Sequence, residues 1–136
     1  AIPVRDLNAP ARTPWVGGGQ LILDPGEGSE AESFINVPFW QLLVLEAYSV
    51  EVHVPAGQTA FMATALASAG GEGAIFRFPL APMVADDAAA FDSFATVQHT
   101  AINVGGSLVV GVERSSNVGT GIVNVALSGY LVPIGE

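Results

Sequence analysis

Residues 40–54 read WQLLVLEAYSVEVHV. From Tyr48 onward Val50, Val52 and Val54 fall on one side of this run, and Ser49, Glu51 and His53 on the other. Successive side chains of an extended chain point to opposite faces, so this period of two is that of a strand with one face in a core. The β-branched valines disfavour helix over the same residues. Carried backward, the alternation places Trp40, Leu42 and Val44 on the apolar face with Tyr48, interrupted only by Glu46. A strand of about 15 residues is longer than usual, so a bend or bulge is expected between Glu46 and Ser49.

The pattern recurs at residues 122–132, where Val123, Val125, Leu127 and Leu131 share a face and Gly129 permits a kink or a close backbone approach. Turn-forming groups cut the rest of the chain: Asp24-Pro25-Gly26, Val37-Pro38, Pro55-Ala56-Gly57, Gly70-Gly71-Glu72-Gly73, Pro79 with Pro82, Gly105-Gly106 and Ser115-Ser116-Asn117-Val118-Gly119. Between them lie further strands at 20–23, 33–37, 59–66, 74–78, 95–103 and 107–113. Together these predict an all-β, jelly-roll-like sandwich of about eight antiparallel strands. Residues 85–94 are expected to hold one helical turn, because Asp86 and Asp87 suit a helix start and Ala88 to Ala90 favour helix.

Residues 1–19 carry Pro3, Pro10, Pro14 and Gly17-Gly18-Gly19 with little periodicity, and read as an extended amino-terminal arm with a hinge. Residues 20–136 are then the sandwich domain. Arg5 and Arg12 against Asp6 make the arm weakly basic, whereas the body holds Arg77 and Arg114 against twelve acids. The whole chain stands at −9 with no lysine, so the phosphate contacts that dominate nucleic-acid affinity have almost no donors. No apolar run approaches the roughly 18 residues of a membrane helix, and Ala1 to Asp6 carry no secretory signal pattern. Half of the 136 residues are hydrophobic and 12% charged, against about 25% charged in a typical soluble domain. One domain of this length has limited interior, so part of the apolar excess is expected to be covered by copies of the same chain. With no cysteine, disulfides and thiol chemistry are excluded.

Motifs that could carry chemistry read more simply as structure. Gly26 to Ala31 match G-x-G-x-x-A, but Glu27, Glu30 and Glu32 would repel a pyrophosphate and a strand follows, so a plain turn is expected. Asp86, Asp87 and Asp92, with Glu72 as a further candidate, could supply hard oxygens for a cation, yet their spacing fits no calcium loop and a solvated acidic loop is expected. His99 with Asp92 or Ser93 nominally completes a triad, but nothing fixes that geometry; His53 and His99 are read as strand-surface or buried hydrogen-bonding groups. Glu46 and Glu51 are placed on opposite sides of their strand. Trp15, Trp40, Tyr48 and Tyr130 could stack on a sugar, but Trp40 and Tyr48 share the apolar face and are assigned to the core. Trp15 lies in the arm and enters a core only if the arm docks, on its own body or a neighbour's. The expected protein-binding residues are therefore Trp15 as apolar anchor with Arg5 and Arg12 as orienting charges; no catalytic, cofactor or metal residue is assigned.

Phe39-Trp40-Gln41-Leu42-Leu43, Pro55-Ala56-Gly57-Gln58, Leu108-Val109-Val110-Gly111-Val112 and Leu127-Ser128-Gly129-Tyr130-Leu131-Val132-Pro133-Ile134 together resemble small jelly-roll virion proteins of tailed bacteriophages. The resemblance spans about residues 34–134. It implies a capsid decoration, or cement, protein: a homotrimer on the outer capsid surface of the virion that binds the major capsid protein, with no catalytic residue and no cofactor. The same fold serves tail and fibre components, and a carbohydrate-binding sandwich and a hydrolase are the readings from other functional classes.

Overall fold

The computed structural model describes residues 12–69, 72–83 and 91–134. These form β1 (Thr13–Leu23), β2 (Ser29–Asn36), β3 (Gln41–Pro55), β4 (Ala60–Ala69), β5 (Glu72–Pro79), β6 (Ala81–Pro82), β7 (Phe91–Val104), β8 (Ser107–Arg114) and β9 (Gly121–Pro133), with no helix among the described residues. The strands make two antiparallel sheets, β1-β9-β3-β7-β6 and β2-β8-β4-β5, that face each other as a sandwich. The pairings are nested. β1 pairs with β9, β2 with β8, β3 with β7 and β4 with β5, so the chain is one long ribbon doubled near residue 70 and wrapped on itself.

Two expectations shift. Phe91 to Phe94 belong to β7, not to a helical turn, because they lie opposite Val52 to Pro55 in the ladder; residues 84–90 are outside the described set. The extended character assigned to the arm holds from Thr13, but residues 13–19 are no free arm or hinge: they are the first half of β1, opposite Val125 to Leu131. The part of the arm before Arg12 lies outside the described residues.

The core is built from β3, whose Leu43, Leu45, Tyr48, Val50, Val52 and Val54 are all fully buried. They meet Leu21, Leu23, Val123, Val125 and Leu127 in the same sheet, and Ala63, Ala65, Leu108, Val110 and Val112 from the other. The irregularity expected after Glu46 is present: β3 advances three residues from Leu45 to Tyr48 while β9 advances two, from Gly129 to Leu127. One extra residue reverses the phase of the alternation. Before the bulge the odd-numbered Leu43 and Leu45 face inward, so the assignment of Trp40, Leu42 and Val44 to the core face is corrected. Glu46 and Ala47 sit between two inward residues, so Glu46 and Glu51 share the outer side of the sheet and do not oppose each other across it.

Gly129 sits where β9 passes β3 so closely that a Cβ would overlap the Val44 carbonyl. Overpacking of this kind costs roughly 1–3 kcal/mol. Gly129→Ala is therefore expected to lower stability by about that amount, whereas Gly73→Ala, whose Cβ would meet Leu66 at an ordinary 3.5 Å, should change it by less than about 0.5 kcal/mol. Denaturant titration of both variants checks this. Tyr48 gives a second test. Its buried hydroxyl donates to the Thr64 carbonyl at 2.9 Å, and desolvation pushes the phenol pKa well above its ordinary value. The neutral phenol is what the fold accommodates, so its stabilisation is complete below the unfolded value of about 10 and lost as pH rises beyond it. Tyr48→Phe should flatten that alkaline decline in a pH series of unfolding curves, and cost about 1 kcal/mol at neutral pH.

Candidate functional site

The polar side chains that the sequence separates are brought together by the ladder. His53 on β3 lies opposite Ser93 on β7, and Glu51 is two residues away on the same face. The His53 ring accepts or donates at Nδ1 to the Ser93 hydroxyl over 2.7 Å, and its Nε2 is 2.8 Å from the Glu51 carboxylate. His99, the histidine that nominally completed a triad with Ser93, lies opposite Ala47, six residues along β7 from Ser93, which is about 20 Å of strand. The three groups can polarise the hydroxyl. They stand, however, on the outer face of a continuous sheet, where both His53 and Ser93 belong to the β3–β7 ladder, and acyl transfer needs donors aimed at the developing oxyanion. The cross-strand hydrogen bonds hold β7 against β3.

The other candidates fall into structural roles. Asp92 accepts the Gly57 amide at 2.9 Å and pins the β3–β4 turn, in which Gly57 adopts φ 93°. Asp86 and Asp87 lie outside the described residues, and among the described residues no three acidic or histidine groups converge as a metal site. Gly26, at φ 98°, makes the plain turn expected of its segment; Glu27 donates its amide to the Asp24 carbonyl, and β2 begins at Ser29. A hydrogen bond with Glu30 raises the Glu27 pKa.

Of the expected protein-binding residues, Arg5 lies outside the described set. Arg12 sets its guanidinium over the Tyr130 ring at 4.5 Å from the centroid. Trp15 is half-buried against its own core, with the indole over Gly17, where a Cβ would collide with it. It packs on its own body. The most exposed aromatics among the described residues are Phe39, 86% exposed, and Trp40, 54% exposed, in the β2–β3 connection. They meet edge to face at 5.2 Å, and the Trp40 carbonyl accepts the amide of Ile134, itself exposed. Sequence reasoning placed Trp40 in the core because it carried the alternation through the bulge, and gave Phe39 no role; their adjacency to Pro38, ahead of the strand, was the available signal.

The two long sides of the sandwich differ. On the β1/β2 side, Trp15 and Phe34 pack against the core, and the edge strand β2 carries Glu30 and Glu32 opposite the inward Val112 and Val110. Charges on the inward positions of an edge strand discourage further pairing. On the β5/β7 side a groove of about 580 Å³ lies open, walled by Ala67, Ala74, Phe76, Phe78, Ala101 and Ile102. Compared with known proteins, the chain matches no family model and no curated sequence.

The end of the sandwich away from Phe39 and Trp40 is tied by a residue the sequence did not single out. Arg114 is 4% exposed at the end of β8. Its Nε donates to the Glu27 carbonyl at 2.9 Å, and its two terminal nitrogens reach the carbonyls of Gly119, Asp24 and Val118 and the Gln58 side chain at 2.8–3.4 Å. One guanidinium thus joins the β1–β2, β3–β4 and β8–β9 connections, and among the described residues no carboxylate pairs with it. Carbonyl dipoles solvate the buried charge. Replacing it leaves several acceptors without a donor, so Arg114→Met should cost about 3–5 kcal/mol, and Arg114→Lys, with a single ammonium in place of the fork, should recover only part. Thermal and denaturant unfolding of both variants measure this.

Proposed function

We propose that the chain is a structural protein of a virus particle: a capsid decoration protein that seats on the outer shell, with the major capsid protein and copies of itself as partners. The observation that carries the reading is the exposed Phe39–Trp40 pair with Ile134 beside it, apolar surface left uncovered at the pole opposite Arg114. Aromatic side chains that fill a partner's pocket supply much of the energy of a protein interface, often about 2 kcal/mol or more each. The nested strand order supports a jelly-roll reading of the sandwich. Charge supports a protein partner over nucleic acid: Arg114 is buried, so Arg12, stacked on Tyr130, and Arg77 are the exposed arginines among the described residues, against the acids of a strongly negative body. Assembly as a trimer rests on the family resemblance alone.

Trp40 also favours a second reading, carbohydrate binding, because it offers an indole face to solvent. Its partner Phe39 stands at 88° to it, so the pair makes no two-ring platform for a sugar. A glycan array separates the two readings.

The test is sedimentation with particles that lack this protein. Saturable, stoichiometric binding is expected. Phe39→Ser with Trp40→Ser should weaken it at least about tenfold with an unchanged circular dichroism spectrum, since neither ring lies in the core, while Arg12→Ala should change it by less than about 1 kcal/mol. A folded chain that never sediments with particles overturns the reading.

A further inference from the structure

We propose that Ser93 is a base-activated hydroxyl that takes an acyl group from activated acyl donors, aryl esters or thioesters. The outer face of the five-stranded sheet then carries a covalent modification site. The inference goes beyond a structural role in a particle and stands independently of it.

The proton positions follow from the three groups. An ionised carboxylate only accepts, so the Glu51 oxygen 2.8 Å from His53 Nε2 calls for a proton on that nitrogen. In the neutral ring Nδ1 then carries the lone pair, and the Ser93 hydroxyl 2.7 Å away donates to it. Nucleophile, base and orienting carboxylate stand in the order in which a serine is activated. The ladder fixes them. His53 lies between Ile122 of β9 and Ser93 of β7, and Glu51 between Asn124 and Ala95, so β3 is held on both sides along this stretch. Groups carried on paired strands keep their geometry more closely than groups on loops. The His53 and Glu51 side chains are 27% and 43% exposed and Ser93 is half-buried, so a small reagent reaches the hydroxyl from the outer face.

In the step itself Ser93 Oγ attacks the acyl carbon, and its proton passes to His53 Nδ1 as the new C–O bond forms. The tetrahedral adduct collapses by breaking the bond to the leaving group, which departs with the electron pair as a phenolate or thiolate, and the ring returns its proton to solvent. On an open sheet face the oxyanion is met by water and not by preorganised donors. Only donors with a stabilised leaving group therefore react. The serine ester is left standing, since its hydrolysis needs the same stabilisation, and the chain is modified without turning over.

The test treats the full chain with p-nitrophenyl acetate and locates the product by peptide mass spectrometry. A stable acetyl ester is expected at Ser93, formed at least about a hundredfold faster than at Ser33, an exposed serine of β2 opposite Val109. His53→Gln, which can keep a cross-strand hydrogen bond but is no base, should lower the Ser93 rate at least about a hundredfold with an unchanged circular dichroism spectrum, and Glu51→Gln at least about tenfold. Nitrogen NMR of the His53 ring should show the Nε2–H tautomer, and Glu51→Ala should mix the two tautomers. The rate should also fall on the acid side, where a second ring proton makes Nδ1 a donor to Oγ. Of the groups around the ring, Glu51, Asn124, Ile122, Ser93 and Ala95, only Glu51 carries charge, and Asp92 beside Ser93 is bound to the Gly57 amide. An acetyl group confined to histidine rings, or a Ser93 ester formed no faster than that at Ser33, overturns the proposal, as does a His53→Gln variant acylated at the rate of the unaltered chain. The comparison of Ser93 with Ser33 needs no variant, so it decides the matter even where a substitution disturbs folding.

Discussion

The bulge in β3 between Leu45 and Tyr48 is the constraint on which the rest of the structure depends. β3 is held on both sides, by β9 and by β7, so its phase fixes what both neighbours present to the core. With one extra residue at the bulge, Leu43 and Leu45 point inward together with Tyr48 and Val50, and a strand of 15 residues buries an apolar side along its whole length. The same switch turns Leu42 and Val44 to the outer side and leaves Trp40, just ahead of the strand, in solvent. It also brings β9 close enough to Val44 that only glycine fits at position 129.

What the sequence disclosed follows from how local each signal is. The strands from Trp40 to Val54 and from 122 to 132 were legible because one face is in a continuous core and period two survives; even the place of the bulge followed from strand length. The buried face before the bulge was not, since a one-residue insertion inverts the alternation without changing composition. Residues 13–19 hid as strand for another reason. Gly18 is required by the Val125 backbone beside it, and Gly17 leaves room for the Trp15 indole above it, so glycines that look like a hinge are sites of close approach. The candidate site was less legible still. The pairing of His53 with Ser93 spans forty residues and that of Arg114 with Glu27 spans eighty-seven, and such contacts follow from register, which no short window contains.

The two ends of the sandwich are differently made. At one, Arg114 ties three connections through backbone carbonyls, so these loops can shift only by breaking bonds to a buried charge. At the other, Phe39 and Trp40 project from a short connection anchored by the bonds of Val37 to Gly106 and of Ile134 to Trp40. A rigid far end and an anchored near end let the aromatics be presented in one geometry, which lowers the ordering cost of an interface formed there.

The nested topology makes edge protection a kinetic matter as well as a structural one. β1 cannot pair until β9 exists, and β2 must wait for β8, so the first half of the chain spends its early life with open strand edges. Folds built from such non-local pairs are slow and exposed to aggregation. Glu30 and Glu32, on the inward positions of β2, make mispairing of that edge costly, and the strong negative charge of the body keeps incomplete chains apart. β5 escapes this waiting period, because its partner β4 is its immediate predecessor in the chain. It can therefore keep an inner side that is apolar at Ala74, Phe76 and Phe78 and charged only at its start, Glu72, where β2 carries two glutamates.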